Sequence, residues 1–185
     1  MSRRRWIIFL VVSGCVGLGF LPVGAAEEPH RYFVPKWAGI RGGFSSDRKA
    51  DDFVQAEAYS RWDLPWDWRW CENWSLGTAA DLSLGYLTDQ SDDGFVGTLG
   101  PVLIVERDGV PVIFEIGSSP TILSRHQFTE ADFGVFFQFT THAGLRWQIN
   151  EVFGVAYRYQ HMSNAGISER NPGLDMHMFS IGFDF

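Results

Sequence analysis

Long stretches of two-residue alternation constrain the fold of this chain more than any other feature of its sequence. Between Phe133 and Gln148 the odd positions are mostly aromatic or aliphatic, and the even positions are mostly glycine, glutamine, threonine, histidine or arginine. The same alternation recurs from Leu76 to Tyr86 and from Phe153 onward. Because successive side chains of a β-strand point to opposite faces, each stretch predicts a strand with one apolar face.

The length of these stretches favours strands that cross a membrane. A strand of a soluble domain has about five or six residues, whereas a tilted strand that spans a bilayer needs about ten. The second face carries aspartate, arginine, glutamine and many glycines, which would fill a soluble core poorly. The pattern therefore predicts apolar side chains facing lipid and polar side chains facing a lumen.

Eight such segments predict an all-β fold, an eight-stranded antiparallel transmembrane β-barrel. The predicted strands are 37–45, 52–62, 75–88, 95–106, 110–118, 132–148, 151–163 and 174–185. An even number of strands closes the sheet with both termini on one side, and closure removes the unpaired edges that lipid does not tolerate. A soluble lipocalin-like barrel is the alternative, but its interior would be apolar rather than charged.

The connections predict which end of the barrel carries the loops. The segments 107–109 and 150–151 are tight turns on the side of the termini. The segments 46–51, 119–131 and 164–173 are longer polar loops on the opposite side. One connection, 63–74, is long for a turn on the terminal side. Its four tryptophans predict part of an interfacial aromatic girdle.

The N-terminal segment 1–26 predicts a secretory signal peptide. Three arginines precede an apolar run, and small residues precede the expected cleavage after Ala26. Lipidation at Cys15 ranks second to this cleavage, because the residues that end there resemble a lipobox. A retained membrane anchor is less favoured, because glycines and Pro22 interrupt the apolar run. Residues 27–185 then form the barrel, placed in the bacterial outer membrane, with Cys71 as their one cysteine and hence no internal disulfide.

Composition excludes some partners and cofactors. The net charge of −7 argues against a nucleic-acid partner. The mature sequence has no cysteine–histidine spacing typical of a metal site, so we expect neither a metal nor another cofactor.

Three polar residues on the apolar face of the last two predicted strands form the candidate site. His161 and Ser163 are two residues apart and share the parity of outward Tyr157, and Asp175 shares the parity of outward Phe179. If the hairpin pairs symmetrically, Asp175 lies opposite Ser163 and diagonal to His161. An imidazole can take a serine proton, and a carboxylate can fix its tautomer. Singly, each residue is also typical of a strand end or of a membrane interface.

The segments "HMSNAG" and "NPGLD" on the last hairpin resemble the lipid A 3-O-deacylases of the Gram-negative outer membrane. The resemblance implies that His161 is the base, Ser163 the nucleophile and Asp175 the acid, at the position where that family has a glutamate. It further implies an oxyanion hole formed by Asn164 and Gly166. The implied activity is a serine esterase that removes the 3-O-linked acyl chain of lipid A in lipopolysaccharide, without a metal.

Two other functions remain open at this stage. An outer-membrane phospholipase A shares a His-x-Ser-Asn segment, but it uses a larger barrel, an asparagine as third member and calcium. A small structural barrel without enzymatic activity is the other alternative. The sequence leaves acyl-chain specificity and homodimerisation open.

Overall fold

A computed structural model describes residues 34–46 and 52–185, and within them all regular structure is β. The strands are β1 (Trp37–Ser45), β2 (Val54–Asp63), β3 (Trp68–Trp70), β4 (Trp74–Thr88), β5 (Asp93–Arg107), β6 (Val112–Leu123), β7 (Phe137–Gln148), β8 (Phe153–Ser163) and β9 (Leu174–Asp184). In these residues no helix is long and apolar enough to span a membrane. The expected signal segment 1–26, with Cys15, lies outside the described residues.

Eight of the strands close into one antiparallel barrel, which confirms the predicted fold class. The strand order is β2-β1-β9-β8-β7-β6-β5-β4, and pairing of β2 with β4 completes the ring. Lys36 and Phe185 lie together at one end, which we call the terminal end. The opposite end carries the segments 89–92, 124–136 and 164–173, and we call it the loop end.

The pairing register fixes how far neighbouring strands are staggered. A path perpendicular to the strands, followed once round the barrel from Leu76, returns to β4 at Tyr86, ten residues nearer the loop end. The intervening positions are Val105, Phe114, Leu145, Tyr157, Phe179, Gly42 and Ala56. Such a stagger obliges the strands to tilt by about 35–45° from the barrel axis.

The two faces of the wall divide as the alternation predicts. Outward positions carry exposed apolar side chains, and inward positions are buried. The exposed set includes Ile40, Leu84, Phe95, Leu99, Leu145, Phe179 and Ile181. An apolar outer belt above a filled interior is the arrangement that suits a barrel in lipid.

A buried ion-pair network fills the middle of the lumen. Arg61 donates to Glu115 at 2.6 Å and to Asp81 at 3.0 Å, and Arg146 donates to the same glutamate at 2.8 Å. Arg41 pairs with Glu57 nearby. Each charge is compensated by an opposite one, which is the condition under which charges tolerate burial.

Beneath the loop end the lumen is apolar, which the sequence analysis did not predict. The buried cluster comprises Phe53, Leu87, Val96, Leu123, Phe128, Ala131, Phe133, Met162, Leu174, Met176 and Met178. Several members come from the segment 124–136, which folds down into the barrel mouth. The inward side chains at the loop end of these strands, Met162 of β8 and Leu174, Met176 and Met178 of β9, belong to this cluster. The outer faces of β8 and β9 near the loop end are therefore supported from inside by packed side chains.

Three predicted segments differ from the observed strands. Residues 132–136 belong to the loop, because Gly134 has a φ of +79° that turns the chain and Phe133 is buried in the mouth. β6 continues through Pro120 to Leu123, and the β5–β6 ladder is interrupted opposite this proline, which has no N–H to donate. The connection 63–74 contains the short β3, paired with the terminal end of β4.

Candidate active site

The centre of the candidate site is a hydrogen-bonded histidine–carboxylate pair on the outer wall. His161 of β8 lies directly opposite Asp175 of β9, and His161 Nδ1 is 2.7 Å from Asp175 Oδ1. Because an ionised carboxylate only accepts, Nδ1–H must donate, and in the neutral imidazole Nε2 then carries the lone pair. Their side chains are 49% and 30% exposed, on the lipid-facing side near the loop end.

The register of this hairpin differs from the symmetric pairing expected from the sequence. The prediction that Asp175 lies opposite Ser163 is wrong by two residues, because the last pair of the β8–β9 ladder is Met162 with Leu174. Gly173, with a φ of +75°, turns the chain out of β9 immediately beyond that pair. The shift moves the carboxylate closer to the imidazole than predicted.

Ser163 lies on the same outer face of β8, two residues beyond His161 toward the loop end. Two residues along a strand separate their Cα atoms by roughly 7 Å. Ser163 is half-buried, and its hydroxyl makes no hydrogen bond within the described part of the chain. The structure thus brings His161 and Asp175 together and leaves Ser163 beside them without a hydrogen bond to the imidazole. Catalytic hydrogen bonds are often long in a ligand-free site and tighten when substrate binds.

Asn164, the next residue, is buried and holds the loop that follows. Its Nδ2 donates to the carbonyl oxygens of Phe133 at 3.0 Å and Arg170 at 2.8 Å, and its Oδ1 accepts from Gly166 N at 2.9 Å. Its own backbone N–H donates to Asn171. In the ligand-free structure, the donors of both residues predicted for an oxyanion hole, Asn164 Nδ2 and Gly166 N, are therefore already hydrogen-bonded within the loops.

Gly173 shapes the space beside the imidazole. A Cβ on Gly173 would lie 3.0 Å from His161 Cε1, closer than an ordinary contact. Gly173→Ala should therefore displace the imidazole slightly and lower kcat for ester hydrolysis by several-fold. The positive φ should add a backbone cost of about 1–2 kcal/mol to folding. Steady-state kinetics of the purified variant measures the first effect, and thermal unfolding the second.

Gly109→Ala is the matched control for this variant. Gly109 has the same φ of +75°, and a Cβ there would meet nothing within 4 Å. It should share the loss of stability and keep full turnover. Equal kcat values for the two variants would show that the contact with His161 is unimportant.

A carboxylate in the neighbouring loop ties the segment 164–173 to the rest of the loop end. Asp132 accepts from Gly134 N at 2.9 Å and from Arg170 Nη1 at 2.5 Å, and His126 Nδ1 lies 3.3 Å away. The Gly134 N–H and the Arg170 guanidinium hold the pKa of Asp132 well below its usual range. The contact thus fixes the loop that follows Ser163.

The lowered pKa of Asp132 gives the pH dependence of this contact. A carboxyl whose pKa is lower in the folded state stabilises that state above its unfolded pKa, about 3.9, and the effect is lost as the pH falls through the lower folded pKa. Asp132→Asn should speed amide hydrogen exchange in 164–173 at neutral pH, and wild-type protection should weaken only in strong acid. Arg170→Gln should reproduce the effect, and the double variant should add little. Unchanged exchange in both single variants would contradict this role.

The second outward histidine has a partner of its own. His177 lies two residues from Asp175 along β9, toward the membrane centre, and its Nδ1 is 2.7 Å from Tyr157 Oη. It lies opposite Tyr159 and stacks on Tyr157. This aromatic surface continues the candidate site toward the hydrocarbon region.

The local geometry suits acyl transfer at a lipid surface. The carboxylate orients the imidazole, whose free nitrogen can accept a proton from a hydroxyl on the same face. Among the described residues, no group of three or more histidine, cysteine, aspartate or glutamate side chains is arranged to hold a metal ion.

The closed apolar-belted barrel, with this candidate site on its outer wall, defines the class: an outer-membrane β-barrel protein. The chain belongs to the lipid A 3-O-deacylase (PagL) family, whose family model matches residues 54–184.

The proteins that resemble the chain include a curated relative and a solved structure. The lipid A deacylase PagL of Bordetella bronchiseptica is 38% identical over 71 residues, which span 38% of this chain and 40% of that protein. The crystal structure of the outer membrane enzyme PagL superposes with a TM-score of 0.70, covering 80% of this chain and 99% of that one. At 17% identity this second likeness shows the fold alone.

Sequence reasoning missed Gly173, Asn171 and Asp132, although each positions part of the site. Asn171 and Gly173 lie in the segment "NPGLD", but nothing in the sequence gave either of them a role, and Asp132 lies outside both segments that carry the family resemblance. Each acts through a contact between loops, or through a backbone angle, that only the folded loop end defines.

Proposed function

We propose that the mature chain, residues 27–185, is an outer-membrane lipid A 3-O-deacylase that acts through Ser163, His161 and Asp175. Family membership supports the activity. The main observation that supports these three residues as the active site is the 2.7 Å hydrogen bond from His161 to Asp175 on the lipid-facing wall. Polar ionisable groups facing lipid are costly, and they are usually retained for a function.

The proposed reaction is a two-step ester hydrolysis. Ser163 Oγ attacks the ester carbonyl carbon while its proton moves to His161 Nε2, and the imidazolium then protonates the departing sugar oxygen. Water, deprotonated by the same nitrogen, attacks the acyl-serine and releases the fatty acid and the free serine. Throughout, Asp175 holds the ring and stabilises its positive charge.

The oxyanion donors in this mechanism are Asn164 and Gly166, as the family resemblance implies. Since their donors are bonded within the loop, stabilisation of the oxyanion requires one of these bonds to be exchanged when substrate binds. The Nδ2 bond to the Phe133 carbonyl, at 3.0 Å, is longer than the bond to the Arg170 carbonyl and is the one we expect to be exchanged.

The position of the pair supports lateral entry of the substrate from the membrane. His161 and Asp175 face the membrane at the loop end, and the lumen behind them is packed. A lipid whose ester lies at the boundary between headgroup and acyl chains can reach them by lateral diffusion. Lipid A provides such an ester in the outer leaflet, toward which we orient the loop end.

Analysis of cellular lipids tests the proposal against its alternatives. Cells that produce the chain should contain lipid A shorter by one 3-O-linked acyl chain, detected by mass spectrometry, with unchanged lysophospholipid. Accumulation of lysophospholipid with intact lipid A would instead indicate a phospholipase A. Unchanged lipids of both kinds, with the folded barrel present in the outer membrane, would favour a structural barrel.

A further inference from the structure

A row of polar side chains crosses four neighbouring strands on the lipid-facing wall. Ser118 of β6 lies opposite Thr141 of β7, Thr141 lies opposite His161, and His161 lies opposite Asp175. The row starts at the candidate site and leads away from it over β7 and β6. The mechanism proposed above uses only its last two members.

Ser118 and Thr141 stand out from their surroundings. The other outward residues of β6 and β7 are Val112, Phe114, Ile116, Pro120, Ile122, Phe137, Phe139, Ala143, Leu145 and Trp147. The two hydroxyl oxygens are 3.1 Å apart, and both side chains are exposed on the outer wall. One hydrogen bond between two hydroxyls uses one of their two O–H protons, so the pair retains one donor facing hydrocarbon. Lipid offers this donor no partner, and a polar group of a bound molecule can satisfy it.

The tilt of the strands places the pair at a defined depth. The register path rises toward the loop end in the order β4, β5, β6, β7, β8, β9, so the row from Asp175 to Ser118 descends into the membrane. With strands about 4.8 Å apart and tilted by about 40°, each step descends about 3 Å. Thr141 therefore lies about 3 Å deeper than His161, and Ser118 about 6 Å deeper.

We infer that Ser118 and Thr141 form a specificity subsite for a second acyl chain of the same substrate, an inference that rests on the proposed deacylase function. The ligand group is an amide or a free hydroxyl near the top of a chain that neighbours the cleaved ester. A polyacylated amino sugar presents such groups a few ångströms below its headgroup. A simple ester with one plain acyl chain presents none.

Two substrates and one double variant test the subsite. Ser118→Ala combined with Thr141→Val removes both hydroxyls and keeps side chains of similar size. For purified protein in detergent micelles, kcat/KM on lipid A should fall about tenfold, the effect expected for the loss of one or two hydrogen bonds. Hydrolysis of a nitrophenyl ester with one unsubstituted acyl chain should be unchanged.

Ser60→Ala is the matched control, since Ser60 is an outward residue of β2 whose neighbours are Ala38 and Leu82. It should leave both reactions unchanged. An equal fall on both substrates in the double variant would assign the pair a structural role, and no fall on either would also overturn the subsite. Wild-type protein that hydrolyses the nitrophenyl ester but not lipid A would overturn the proposed function itself, separately from the variants.

Discussion

Ser163→Ala is expected to abolish acyl release while leaving the barrel intact. Loss of the attacking hydroxyl removes the covalent step, and in serine hydrolases this lowers kcat by on the order of 10⁴-fold or more. The side chain is half-buried and makes no hydrogen bond in the described residues, so its removal should cost little stability. Release of fatty acid from lipid A by purified protein measures the activity.

The fold of this variant can be checked independently. A closed barrel migrates differently on gels before and after heating, and the variant should keep this shift. Ser60→Ala, on the outer face of β2 and separated from β9 by β1, should keep both the shift and the activity. Residual turnover of Ser163→Ala above a few per cent of wild type, after correction for contamination, would remove Ser163 as the nucleophile.

Asp175→Asn should give the second largest loss, on the order of 10³-fold in kcat. The carboxylate accepts the Nδ1 proton of His161 at 2.7 Å, and an amide can neither fix that tautomer as firmly nor stabilise the imidazolium. Because Asp175 is 30% exposed, the neutral residue leaves no buried charge unpaired, and the barrel should remain folded. Kinetics on lipid A and the gel shift report the two properties separately.

Asp175→Glu is the informative companion of this variant. It places in this chain the glutamate that the family resemblance implies at the position, and keeps the charge on a side chain one methylene longer. We expect most of the activity to remain. If Asp175→Asn were as active as wild type, or if the glutamate variant were as inactive as the asparagine variant, orientation of His161 by this carboxylate would be refuted.

The alternation of residues was sufficient to predict the barrel and the sidedness of its wall. Lipid and lumen impose opposite polarity on alternate positions, so the parity of His161, Ser163 and Asp175 places them outward without knowledge of the fold. Parity alone does not fix which residues pair across two strands, because a register shift of two residues leaves every side chain on the same face. That is why the sequence placed Asp175 opposite Ser163 when it lies opposite His161.

The loop end was harder to predict for a different reason. Phe133 looks like part of an alternating strand, yet it packs inside the mouth because Gly134 turns the chain. Asn164 matches the family motif, but its bonds to the Phe133 and Arg170 carbonyls depend on two loops meeting. Such contacts are set by packing between distant segments, and no local pattern encodes them.

The filled interior also bears on the permeability of the outer membrane. Charged pairs such as Arg61 with Glu115 occupy the middle of the lumen, and the apolar cluster closes it beneath the loops. We therefore expect solutes to find no open aqueous route through the described part of the barrel. A bacterium can produce such an enzyme in quantity without making its outer membrane more permeable to ions or antibiotics, and conductance measurements on planar bilayers should show no open pore.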